Sequence, residues 1–95
     1  MKIDECDGKL VCALDGHLDT VQSQKLEAEL NPRLKPSLAV VFDMNAVTYI
    51  CSGFLRVCIM VAKVVGARQF KLQGLTPPIR RVFMMAGMSD LLEHD

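Results

Sequence analysis

Tryptophan is missing from this 95-residue chain and aromatic residues make up only 5% of it, so the interior is expected to be built from Val, Leu, Ile, Met and Ala. Charge of one sign is missing too. Eleven Lys and Arg balance eleven Asp and Glu with no basic tract, which leaves out the electrostatic footprint of a nucleic-acid binder. No apolar run approaches the ~18 residues that span a bilayer. The opening "MKIDECDG" has no apolar h-region and does not read as a signal peptide, so a cytoplasmic location without membrane or nucleic-acid partners is expected. Metal-ligand spacing is absent as well: Cys6, Cys12, Cys51 and Cys58 form no C-x-x-C pair, and neither His17 nor His94 stands at ligand distance from them. No metal and no cofactor are therefore predicted. Cys12 and Cys58, inside apolar stretches, read as small hydrophobes, while Cys51 falls on an expected working loop where a redox role is an alternative. Repeats and low-complexity segments are lacking, and the length suits one domain.

The residues that are present alternate between strand and helix signals. "KIDEC" and "KLVCAL" (9–14) read as a hairpin around Asp7-Gly8, with the second strand stopping at Asp15-Gly16. A helix follows in "DTVQSQKLEAEL", capped by Asp19 or Thr20, with Leu26 and Leu30 on one face and Asn31-Pro32 at its end. "LAVVFD" (38–43) is a continuous apolar run, the pattern of a parallel strand covered on both faces, and "MNAVTYIC" reads as a loop after it. Residues 52–65 predict a mostly buried helix whose narrow outer stripe holds Ser52, Arg56, Ile59 and Lys63, with Gly53 and Met60 at its flank. Gly66 ends it. "QFKLQG" alternates like a half-buried strand, and a third helix follows, with Thr76 as N-cap, Pro77 in first position and Gly87 as C-cap. "MSDLLEHD" adds at most one turn. The methionines of "VFMMAGM" (82–88) read as core filling over contact surface. The order β-β-α-β-α-β-α argues for a small mixed α/β sheet.

The stretch "TYICSGFLR" (48–56) carries the chemistry, because working loops of α/β sheets lie beyond the carboxyl ends of the strands. As a hydrolase nucleophile Ser52 fails: the glycines of G-x-S-x-G are replaced by Ile50 and Phe54, and no histidine is positioned beside it. A thiol enzyme using Cys51 is the other catalytic alternative. A phosphate cradle lacks both G-x-G-x-x-G and G-x-x-x-x-G-K-[ST]. Two readings of Ser52 stay open, a plain N-cap and a phosphorylation switch. A phosphate at a helix N-terminus gains unpaired N–H groups and the favourable end of the dipole. It also brings about −1.5 to −2 charge to a surface lined by Arg56, Met60 and Lys63.

"GHLDT", "VVFDMNAVTYICSGFLRV" and "VVGARQFKLQGLTPPIRRVFMMAGMSDLL" together resemble the STAS domain of bacterial anti-sigma factor antagonists, from about Gly8 to Leu92. The resemblance implies one STAS domain over 1–95, a small mixed β-sheet flanked by helices, without catalysis of its own. It implies a protein partner, an anti-sigma factor serine kinase that is captured by the unphosphorylated form and released on phosphorylation of Ser52, in a partner-switching pathway regulating transcription. The partner-binding residues it implies, together with the outer stripe, are Asp19, Thr20, Asp43, Cys51, Gly53, Arg56, Ile59, Met60 and Lys63. Cys51 departs from the family's usual aspartate or serine, and Phe54 from its usual glycine. Those departures support a rival expectation, a constitutive STAS adaptor in a larger signalling or transport assembly, indifferent to residue 52.

Overall fold

Asp7 and Gly8 both take positive φ, 53° and 74°, the pair of left-handed residues that closes a tight hairpin. The turn joins strand β1 (Lys2–Cys6) to β2 (Lys9–Leu18), paired antiparallel. The computed structural model, which describes residues 1–91, continues through α1 (Thr20–Leu30), β3 (Ala39–Ile50) and α2 (Ser52–Val65). After a 3-10 turn at Ala67–Gln69 come β4 (Phe70–Gln73), α3 (Pro77–Met85) and a last 3-10 turn at Ser89–Leu91. The expected C-terminal turn thus ends at Leu91, and residues 92–95, His94 among them, lie outside the described residues. The sheet runs β1-β2-β3-β4, with β3 parallel to both its neighbours, so it is mixed as expected.

Strands β2, β3 and β4 are laid down in one direction. Right-handed crossovers between strands added in one direction put both connecting helices on the same face. The core follows from this. Leu10, Cys12, Val40, Phe42, Phe70 and Leu72 of the strands join one buried cluster with Leu26 and Leu30 of α1, Phe54, Val57, Cys58 and Val61 of α2, and Ile79 and Phe83 of α3. This corrects the expectation that β3 is covered on both faces. Val41 is buried but stands outside that cluster, shut in by its lateral partners Val11 and Lys71.

Strands β2 and β3 are also longer than expected. Neither Asp15-Gly16 nor Asp43 ends its strand: pairing resumes at Asp15↔Ala46 and Gly16↔Val47 and continues to Leu18↔Ile50. Register shifts between Ala13 and Asp15 and between Gly16 and His17 each leave one extra residue on β3. Each bulge absorbs a residue without breaking the ladder, so the segment expected to be a loop is strand.

The interior is mostly Leu, Val, Ile and Met as expected, with phenylalanine added at its centre. All four phenylalanines are fully buried, and they form a relay: Phe70 to Phe42 at 4.8 Å, Phe42 to Phe54 at 5.9 Å, Phe54 to Phe83 at 6.3 Å between ring centres. Each fully buried ring contributes about 1.5–3 kcal/mol of transfer free energy. The methionines of α3 move the other way. Met84 and Met85 are 57% and 82% exposed and only Met88 packs against the core, so "VFMMAGM" is surface more than filling. α3 closes at Ala86, and Gly87 follows at φ 75° with its N–H donating to the Met84 carbonyl.

Candidate functional site

The carboxyl ends of β2 and β3 stop side by side, and the Cys51 N–H donates to the Leu18 carbonyl at 3.2 Å. That bond sets the start of α1 next to the start of α2. Asp19 caps α1: its carboxylate accepts from the Gln22 N–H at 2.9 Å, which resolves the alternatives in favour of Asp19 over Thr20. Thr20 is the first helical residue and is exposed. On α2 the cap is Cys51, with extended backbone at φ −118° and ψ 174°. Ser52 is therefore not the N-cap. It is the first residue of the helix, with its side chain exposed to solvent.

Cys51 puts a sulfur where the resemblance leads one to expect aspartate or serine. Burial pushes its thiol up, but the Phe54 N–H, the Ser23 hydroxyl, the Gly53 N–H and the Thr20 hydroxyl together outweigh that and bring it below the ordinary 9.0. The side chain makes no capping hydrogen bond, but it stands at the positive end of the helix, which favours a thiolate. Ser23, one turn into α1 and almost fully buried, meets the sulfur at 3.8 Å and so joins the two helix starts. Gly53 is where α1 and α2 approach. A Cβ there would lie 3.5 Å from the Cys51 sulfur and 3.7 Å from the Ser23 Cβ, ordinary contact distances.

From this junction a cleft of about 170 Å³ opens between the helices, lined by Thr20, Ser23, Gln24, Glu27, Gly53, Arg56 and Val57. The α2 stripe falls as the periodicity predicts: Ser52, Arg56, Ile59 and Lys63 are exposed and Met60 is half-buried. Its lower part borders a second groove of about 310 Å³, where Ile59, Ala62 and Lys63 face Ala67, Gly87 and Met88. Phe54 points the opposite way, into the phenylalanine relay, so its departure from glycine changes the core and leaves the outer face of α2 unaltered.

The structure thus brings Asp19, Thr20, Cys51, Ser52, Gly53 and Arg56 to one edge and continues it through Ile59, Met60 and Lys63. Asp43 is not part of this group. It lies beside Ala13 and Gln73, with the remainder of β3 between it and Ser52, and its carboxylate accepts from the Asn45 N–H at 3.0 Å and side-chain amide at 2.7 Å. Those bonds, the backbone one foremost, hold its carboxyl below the ordinary range. Asp43 braces a bulge. Two exposed residues were given no place in the site by the sequence: His17 and Tyr49, paired across the ends of β2 and β3 with rings 5.7 Å apart, edge to face. The signal was hidden because "MNAVTYIC" reads as loop, and a loop gives no cross-strand neighbour.

No helix among the described residues is long and apolar enough to cross a membrane. The family model described as MlaB, STAS domain, matches residues 1–93. BtrV of Bordetella bronchiseptica, by name an anti-sigma factor antagonist, is 36% identical over 90 residues, which cover 92% of this chain and 78% of that protein. Among solved structures, the anti-sigma factor antagonist SpoIIAA in its unphosphorylated form superposes with a TM-score of 0.80 over 97% of this chain and 84% of its own, at 13% identity. The phosphorylated form of SpoIIAA, a Bacillus cell fate determinant, gives 0.73 over 97% and 87%, at 14% identity. At such identities the two superpositions speak to the fold.

Proposed function

Because the chain belongs to the STAS domain family and has an anti-sigma factor antagonist as a close-length relative, we propose that it is a protein-binding antagonist whose capture of an anti-sigma factor serine kinase is switched off by phosphorylation of Ser52. The observation that carries this reading is the position of Ser52, exposed on the first turn of α2, next to the start of α1. A phosphate on that hydroxyl would add about −1.5 to −2 charge where the helix dipole favours it. The fold has no reason to break. Arg56, one turn along the same stripe, would be drawn to the phosphate and away from a partner. Docking would use Thr20, Arg56, Ile59, Met60 and Lys63, with Tyr49 and His17 at the rim. ATP and magnesium would belong to the kinase, and this chain would do no catalysis.

The test is a pull-down comparing wild type, Ser52→Ala and Ser52→Asp. An ATPase-type serine kinase retained by the first two and lost by the third is the expected result. Equal retention by all three overturns the switch. That outcome would favour the second reading, a constitutive adaptor, whose support is the departure of Cys51 from the aspartate or serine that the family resemblance leads one to expect beside the acceptor serine.

A further inference from the structure

The outward face of α3 is built from two cations and two methionines. At helical spacing Pro77, Arg80, Arg81, Met84 and Met85 share the side opposite the buried Ile79 and Phe83, and they line a shallow groove of about 420 Å³. Solvent-facing positions on a short amphipathic helix ordinarily carry polar residues. Here Met84 and Met85 sit in water beside Arg80 and Arg81, and among the described residues neither arginine forms an ion pair.

The charge of the surrounding chain is one-sided. Eight of the eleven acidic residues precede residue 51 and the other three are Asp90, Glu93 and Asp95. Between Cys51 and Ser89 there is no carboxylate at all, against Arg56, Lys63, Arg68, Lys71, Arg80 and Arg81. The 52–88 segment of a neutral protein thus carries cations alone, and the two most exposed apolar side chains, Met84 and Met85, lie within it.

We propose that the outward face of α3 is a second docking surface, separate from the Ser52 edge, which takes an acidic amphipathic segment of a protein partner. Carboxylates would pair with Arg80 and Arg81 while apolar anchors pack on Met84 and Met85, whose flexible side chains adapt to such anchors. A second copy of the chain fits less well, because a twofold contact through this face sets the arginines against themselves. A membrane fits less well too: the face offers no Leu, Phe or Trp to insert, on a helix of nine residues.

The test uses the full chain with methyl-labelled methionines, observed by NMR. The probes are a synthetic helical peptide with leucine anchors flanked by glutamates, the same peptide with lysines for the glutamates, and phosphatidylcholine vesicles containing phosphatidylglycerol. The acidic peptide is expected to shift the Met84 and Met85 methyls while Met60 on α2 stays put. The lysine peptide and the vesicles are expected to shift neither. R80E/R81E should weaken the acidic peptide about tenfold or more and favour the lysine peptide instead, with an unchanged melting temperature. Ser52→Asp should leave all of this as it is, so a failed switch and a failed α3 surface are told apart. Unmoved α3 methyls, equal shifts with both peptides, shifts that grow with protein concentration alone, or a response only to vesicles would each overturn the proposal.

Discussion

Cys51 shows how one side chain can keep a position while changing its chemistry. It holds the N-cap position of α2 through its extended backbone, since its side chain makes no capping hydrogen bond, yet the donors around it favour its thiolate. Its alkylation by iodoacetamide is therefore expected to titrate with a midpoint below 9.0, since the four donors outweigh burial. A midpoint at or above 9.0 would mean that burial wins. Cys12 and Cys58, buried in the core with their thiols pushed up, should react only after unfolding. Ser52 and the stripe below it were legible in the sequence because helical periodicity separates faces without knowledge of neighbours. The cap itself was not legible, since Ser is among the strongly preferred N-cap residues and Cys is not.

At the scale of elements, the bulges in β3 explain what the sequence concealed. Buried residues fall at Phe42, Met44, Val47 and Ile50, spacings of two, three and three, so strict alternation disappears although the ladder continues. Asp15-Gly16 misled in the same way: its glycine takes φ 65°, a turn-like value used here inside a strand. The bulge at Met44–Asn45 is braced by Asp43 and leans on Gly74. That glycine, at φ 72°, leaves no room for a Cβ against the Asn45 side chain. Gly74→Ala should destabilise the protein by about 1–3 kcal/mol in chemical denaturation. Adding Asn45→Ala should return part of that loss by removing the overlap, leaving the left-handed backbone cost. No loss at Gly74→Ala would show that the bulge yields. The face of α3 was misread for a different reason. Methionine fills cores and coats contact surfaces equally well, and only its neighbours decide which.

Across the whole molecule the two buried thiols make stability depend on alkaline pH. Cys12 is pushed to about 12 by burial, against 9.0 for an ordinary thiol, and Cys58 is raised as well. Below the ordinary value both folded and unfolded chains keep these protons and nothing changes. As pH rises through the window between the two values, the unfolded chain ionises and the folded one does not, so stability falls. Cys51, lowered and half-exposed, works with the opposite sign and more weakly. Cys12→Val should accordingly flatten the loss of melting temperature as pH rises above about 9. An unchanged slope would assign the alkaline loss elsewhere. The long β2–β3 ladder has a consequence of another kind. A serine on a slack loop can be drawn into an enzyme's groove and read as a string of letters. Ser52 stands at the end of two bonded strands, on the first turn of a half-buried helix, and its flanking residues cannot be stretched out without unravelling β3. On the proposed reading, whatever modifies it must recognise a folded solid. Insulation from other kinases in the same cell would then come from architecture, with no need for a distinctive sequence around the acceptor.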